Sequence, residues 1–69
     1  MGRKNIKNTL KIQRAKNNLA QAQLAELVGV TRKTINTVEN GVYIPSTYLA
    51  LKLSKALGVS VEELFQLDD

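Results

Sequence analysis

The sequence predicts an all-α fold, a compact bundle of five short helices. Three observations predict it. Apolar residues recur at spacings of three and four rather than alternating, which assigns the core to helices. Capping residues and glycines bracket the periodic stretches. The only proline, Pro45, falls between two such stretches and interrupts neither.

The first helix is expected from about Lys7 to Asn17, with Leu10 and Arg14 one turn apart on one face, and Asn18 suits the left-handed position that closes it. The second, Gln21 to Val28, turns Leu24, Ala25 and Val28 inward and ends at Gly29. The third takes Thr31 as its N-cap, buries Ile35 and Val38, and stops at Gly41. After the loop Val42–Pro45, Ser46 caps a fourth helix with Leu49, Leu53, Ala56 and Leu57 along one stripe, closed by Gly58. Ser60-Val61-Glu62-Glu63 is a capping box, and it opens a last turn or two carrying Leu64 and Phe65.

The 69 residues suffice for a single domain, and a chain this short buries only about 60% of the surface its unfolded form exposes. There is no cysteine and no histidine. Disulfides and thiolate or imidazole metal sites are therefore excluded, the usual acid/base residue of catalysis is missing, and no cofactor or metal is expected. No glycine-rich loop cradles a phosphate, and the only adjacent carboxylates before the last two residues, Glu62 and Glu63, lie in a capping turn, so an enzyme is not expected. No apolar run approaches the roughly 18 residues of a membrane span, and MGRKNIKN lacks the apolar segment of a secretion signal. The expectation is a soluble cytoplasmic protein of prokaryotic or phage type, without a membrane partner.

Charge is unevenly placed. Up to Lys33 there are eight cations (Arg3, Lys4, Lys7, Lys11, Arg14, Lys16, Arg32 and Lys33) against Glu26 alone. Beyond it, Lys52 and Lys55 face five carboxylates. A basic first half with an acidic second half points to a polyanion on one side of the molecule.

Two helix starts sharpen that reading. The last helix obeys the helix dipole, with Glu62 and Glu63 in its positive first turn. The third reverses it: Arg32 and Lys33 follow the Thr31 cap, and Thr34 stands where a Glu would complete a capping box. Each misplaced cation costs roughly 0.3–1 kcal/mol at low salt. A phosphate backbone at this helix end converts the penalty into attraction, and rule-breaking of this kind concentrates at functional sites. The preceding turn supports it. Ala25 lets two helices approach, Gly29 supplies positive φ at a sharp bend, and Ile35 fills the angle between the helices. Leu24, Val28, Val30 and Val38 complete the inner face of a helix-turn-helix whose third helix is a rod of the size the major groove admits.

The stretch LAQAQLAELVGVTRKTINTVENGVYIPS resembles the helix-turn-helix of the phage repressor/Cro type, the Xre family. The likeness continues through LALKLSKALGVSVEELF and so covers about Leu10 to Phe65. Its most specific pieces are Gln21-x-x-Leu24-Ala25, the run Val30 to Ile35, Glu39-Asn40-Gly41 and Pro45-Ser46. The resemblance implies a lambda-repressor-like five-helix domain over 1–69, with the helix-turn-helix at about 21–40 and the C-terminal helices at 46–66. The implied function is a sequence-specific regulator of transcription, a repressor, that binds double-stranded DNA as a homodimer on a two-fold-symmetric operator.

Carried over by position, the resemblance places Gln21 on a backbone phosphate and Thr31 as cap and phosphate contact. Arg32 and Lys33 point at guanine O6 and N7 in the major groove, with Thr34 in the same turn. Asn36 and Thr37 follow one turn on, Thr37 meeting thymine through its methyl or hydroxyl. Asn40 anchors a phosphate at the helix exit, and Tyr43 reaches the backbone from the loop. Arg14 and Glu39 match a pair that forms a structural ion pair between helices one and three. The sequence departs from the family at Ala20, where Ser or Thr usually caps helix two, and at Gln13, a commonly apolar position, so that either helix one is less well packed or Ile12 substitutes. With no separate oligomerisation domain, the dimer interface is expected on the bundle itself, at Leu51, Val61, Leu64 and Leu67. The alternative within the same resemblance is an antitoxin that binds a toxin protein and its own promoter.

Overall fold

The computed structural model describes residues 6–68. Five helices form the body: α1 (Leu10–Lys16), α2 (Gln21–Val28), α3 (Arg32–Glu39), α4 (Thr47–Leu57) and α5 (Val61–Leu64). Two short strands that the helical periodicity did not reveal flank them, β1 (Ile6–Asn8) and β2 (Phe65–Leu67). They pair antiparallel, Ile6 opposite Leu67, Lys7 opposite Gln66 and Asn8 opposite Phe65.

The strands correct two expectations. Helix one does not begin at Lys7, because Lys7 and Asn8 are extended and the Asn8 carboxamide does the capping: Leu10 N–H donates to Asn8 Oδ1 at 3.0 Å. Helix five ends before Phe65, whose φ and ψ of −130° and 129° are those of a strand. Two further bonds tie this seam, Thr9 N–H to Leu64 O at 2.9 Å and Thr9 Oγ1–H to Glu63 O at 2.7 Å.

The helical core follows the periodicity. Leu24, Ala25 and Val28 of α2 meet Ile35 and Val38 of α3, and Leu49, Leu53 and Leu57 of α4 close over them. α1 adds only Leu10. Ile12 stays exposed, so it does not substitute for the half-buried Gln13, and α1 is held by polar contacts more than by burial. Leu64 is fully buried. It belongs to the core and is unavailable to the surface where a dimer contact was expected.

The caps at α3, α4 and α5 are made as expected. Thr31 Oγ1 accepts from Thr34 N–H, Ser46 Oγ from Leu49 N–H, and Ser60 Oγ from Glu63 N–H, while Glu63 returns a bond to Ser60 N–H at 2.8 Å. Gly29 and Gly58 take the left-handed conformation that ends α2 and α4, and Asn18 does so after α1 with φ of 55°. The hydrogen bonds from Ser60 hold the Glu63 carboxyl below its ordinary range. A depressed folded-state value means this contribution is complete above the ordinary value of 4.5 and fades as pH falls through the lower, folded one. Ser60→Ala is expected to cost about 1 kcal/mol in urea unfolding near neutral pH, and Glu63→Gln should flatten the acid side of the stability profile.

Candidate nucleic-acid interface

α2 and α3 present one face of the molecule, and α3 is fixed on it chiefly through its C-terminal half. Glu39, its last residue, has a side chain only 3% exposed. It accepts from Arg14 twice, Nε to Oε2 at 2.6 Å and Nη2 to Oε1 at 3.3 Å. The bond to Glu39 raises the Arg14 pKa further above its already high value, so the cation is permanent. Arg14 Nη1 also donates to Leu19 O at 2.8 Å, tying the α1–α2 loop to the same group. The expected ion pair between helices one and three is thus present, with Arg14 15% exposed.

Gln21, at the start of α2, joins this cluster. Its Nε2 donates to Glu39 Oε1 at 3.0 Å and to Asn36 Oδ1 at 3.2 Å. Both amide hydrogens are therefore engaged inside the protein, and the side-chain donor expected for a phosphate is turned inward. What α2 offers outward is backbone. Ala20 has no side-chain oxygen, so nothing caps the N–H groups of the first turn. Only the return half of a capping box is made, Gln23 Oε1 accepting from Ala20 N–H at 2.7 Å.

The N-terminal half of α3 is open. Arg32 and Lys33 are exposed and make no ion pair among the described residues. Thr31 and Thr34 share a hydroxyl contact at 3.1 Å. Thr37 Oγ1–H donates to Thr34 O at 2.9 Å, which spends its hydrogen and leaves the methyl and oxygen lone pairs for other contacts. Lys33, Thr34 and Thr37 line a shallow depression of about 440 Å³ with Val42 and Tyr43. Tyr43 therefore stands beside the exposed face of α3, held there by the bonds from Val42 and Tyr43 N–H to Thr37 O. Asn40 is exposed at the C-cap, ahead of Gly41 with φ of 75°. Arg3 and Lys4, counted in the basic half, lie outside the described residues.

The profile of the helix-turn-helix family matches residues 10–64, which contain all five helices. The chain belongs to that family. An uncharacterized HTH-type transcriptional regulator of Methanocaldococcus jannaschii is 47% identical over 64 residues, spanning 93% of this chain and 97% of that one. Among solved structures, the P22 c2 repressor in complex with a synthetic operator superposes with a TM-score of 0.75 at 34% identity, over 77% of this chain and 80% of that one. A restriction-modification controller protein from Aeromonas hydrophila gives 0.73 at 35% identity, over 78% and 82%. The family is one of DNA-binding transcription regulators and not of enzymes, and this protein is a DNA-binding transcriptional regulator. No helix among the described residues is long and apolar enough to cross a membrane.

The Arg14–Glu39 pair generates a stability prediction. Removing one partner strands the other charge in a half-buried setting, which costs more than removing both. Glu39→Ala alone should destabilise more than the double replacement with Arg14→Ala, with a coupling of roughly 1–3 kcal/mol in a double-mutant cycle read by urea unfolding.

Proposed function

We propose that this regulator is a cytoplasmic repressor that inserts the amino end of α3 into the major groove of its operator. The observation that carries the reading is the uncompensated cationic turn. Arg32 and Lys33 sit exposed at the positive end of a helix whose first turn holds no acidic residue, although the cap at Thr31 is otherwise well made. A polyanion is the partner that turns this arrangement from a cost into a gain.

The roles divide by reach. Arg32 and Lys33 address guanine O6 and N7, and Thr37 offers its methyl to thymine, with Thr34 and Asn36 on the same face. Gln21 marks the start of α2, where uncapped N–H groups, its own included, meet a backbone phosphate. Thr31, Asn40 and Tyr43 flank the reading face and take phosphates on either side of the groove, setting register without reading sequence.

A single small module makes few contacts, and a two-fold dimer spanning half-sites about 34 Å apart multiplies them. The surface that supports such a dimer lies where α4, α5 and the strands meet. There a groove of about 420 Å³ is lined by Ile6, Ile44, Leu51, Val61 and Phe65 among others. Leu51 is 57% exposed, and Leu67, paired with Ile6 across the strands, is 75% exposed. Leu51, Val61 and Leu67 form the proposed contact, and covering them removes an apolar patch from water.

Selection of bound sequences from random duplex DNA should return a motif with two-fold symmetry, and binding should weaken steeply as salt rises. Lys33→Ala should relax the preference at one base pair per half-site by about 1–3 kcal/mol. Sedimentation at tens of micromolar protein should show a dimer, and Leu51→Glu a folded monomer that no longer holds the full operator. A monomer under all conditions, with a motif lacking symmetry, would remove the two-fold reading.

A further inference from the structure

The hydrogen-bond chain running from Arg14 through Glu39 and Gln21 to Asn36 has a direction, and the direction reaches the DNA-facing surface. Arg14 has only donors, so the Glu39 carboxylate beside it is the acceptor. A carboxylate in an ion pair has no proton to give. The amide atom of Gln21 that faces it must therefore be the amino nitrogen, and so it is, at 3.0 Å. That nitrogen has a second hydrogen, and the group it meets, at 3.2 Å, must be an acceptor, which makes it the carbonyl of Asn36. The polarity of a buried charge pair is thereby handed through two neutral amides. The Asn36 carbonyl is held inward, and its amino group has no partner among the described residues, nor is it a buried atom left unsatisfied.

We infer that Asn36 is a specificity-determining residue that faces the operator as a donor only, and that Gln21 is the positioning residue that fixes this polarity. The inference rests on α3 lying in the major groove. A free asparagine reads adenine with both halves of its amide, giving a hydrogen to N7 and accepting one from N6. Here the carbonyl is directed at Gln21, and although its second lone pair is unfilled, a paired adenine contact requires the amide to turn out of that bond, so the contact is disfavoured. The amino group instead selects a base edge rich in acceptors, guanine with O6 and N7 foremost, and disfavours cytosine, whose exposed edge is a donor. Gln21 thus acts on sequence choice without touching a base.

The test is base preference, measured by selection from random duplex DNA and by competition between matched duplexes, for the full chain and four variants. Asn36→Ala and Gln21→Ala are expected to flatten the preference at the same base pair by roughly five- to tenfold, the lower end of what one base contact discriminates. Gln21→Ala keeps the backbone N–H groups of α2, so a role confined to phosphate contact would leave the profile unaltered. Asn36→Asp keeps the shape and still accepts from Gln21, but turns an acceptor outward. Its preference at that pair is expected to shift toward cytosine, even as the added charge weakens binding overall. Lys33→Ala serves as the reference: it should alter a different base pair.

Thermal unfolding of each variant confirms that the profiles come from folded protein. If Asn36→Ala lowers affinity for all sequences alike, or Gln21→Ala leaves the wild-type profile intact while Lys33→Ala changes its own pair, the polarity chain does not reach the DNA and the inference is overturned. If no variant, Lys33→Ala included, alters any base preference, the groove reading itself fails.

Discussion

The carboxylate of Glu39 is the constraint on which the arrangement of the helices depends. A charge this buried is costly unless it is paired and its remaining lone pairs are filled. Meeting that requirement brings three segments to one point: Arg14 from α1, Gln21 from the start of α2, and α3 itself, with the α1–α2 loop drawn in through Leu19 O. Apolar contacts alone would leave α1 poorly defined, since it commits a single residue to the buried core. Hydrophobic burial is non-directional, whereas a bidentate guanidinium–carboxylate contact fixes orientation as well as distance. The pair contributes geometry more than net stability.

The two ends of α3 are treated oppositely, and the asymmetry suits the function. At its C-terminal half, Glu39 is engaged by Arg14 and Gln21, Val38 O by Asn8 Nδ2 at 2.9 Å, and Thr37 O by the N–H groups of Val42 and Tyr43. In its amino half, the Thr31 cap and the buried Ile35 hold the backbone, and Arg32 and Lys33 extend without protein partners among the described residues. A reading element needs its backbone held to a fraction of an ångström while its side chains stay free to meet bases. Anchoring one half and leaving the other open achieves both. The helix dipole then adds to the cationic side chains, so the protein's own electrostatics favour whatever anion arrives there.

Most of this was legible in the sequence where the signal is local. The periodicity of α2, α3 and α4 and the caps at Thr31, Ser46 and Ser60 depend on residues a few positions apart, and the structure follows them closely. What was not legible is long-range. β1 and β2 are three residues each, too short to show alternation, and each is a strand only because the other, near the opposite end of the chain, supplies its hydrogen bonds. Asn8 therefore looked like part of a helix rather than the cap before one. Leu64 and Leu67 are both leucines of one tail, yet the change from helix to strand at Phe65 sends the first into the core and leaves the second in water. The inward turn of Gln21 was equally hidden. Its side chain has two plausible destinations, and a carboxylate 18 residues away decides between them.

That decision links folding to recognition in a way that separate inventories of core and contact residues would miss. An amide at a protein–DNA boundary has no fixed sense until something beside it imposes one, because its two ends have similar size and opposite hydrogen-bonding character. Here the imposing group is a charge pair whose first duty is to hold helices together. Its influence passes outward through Gln21 because one amino hydrogen goes to Glu39 and the other to the Asn36 carbonyl, which leaves the Asn36 amino group without a partner among the described residues. A substitution in this cluster consequently acts on two properties together. Loss of Arg14 would loosen α1 and also weaken the grip on Glu39 that orders the amides beyond it. Change at Lys33 would touch the reading face alone.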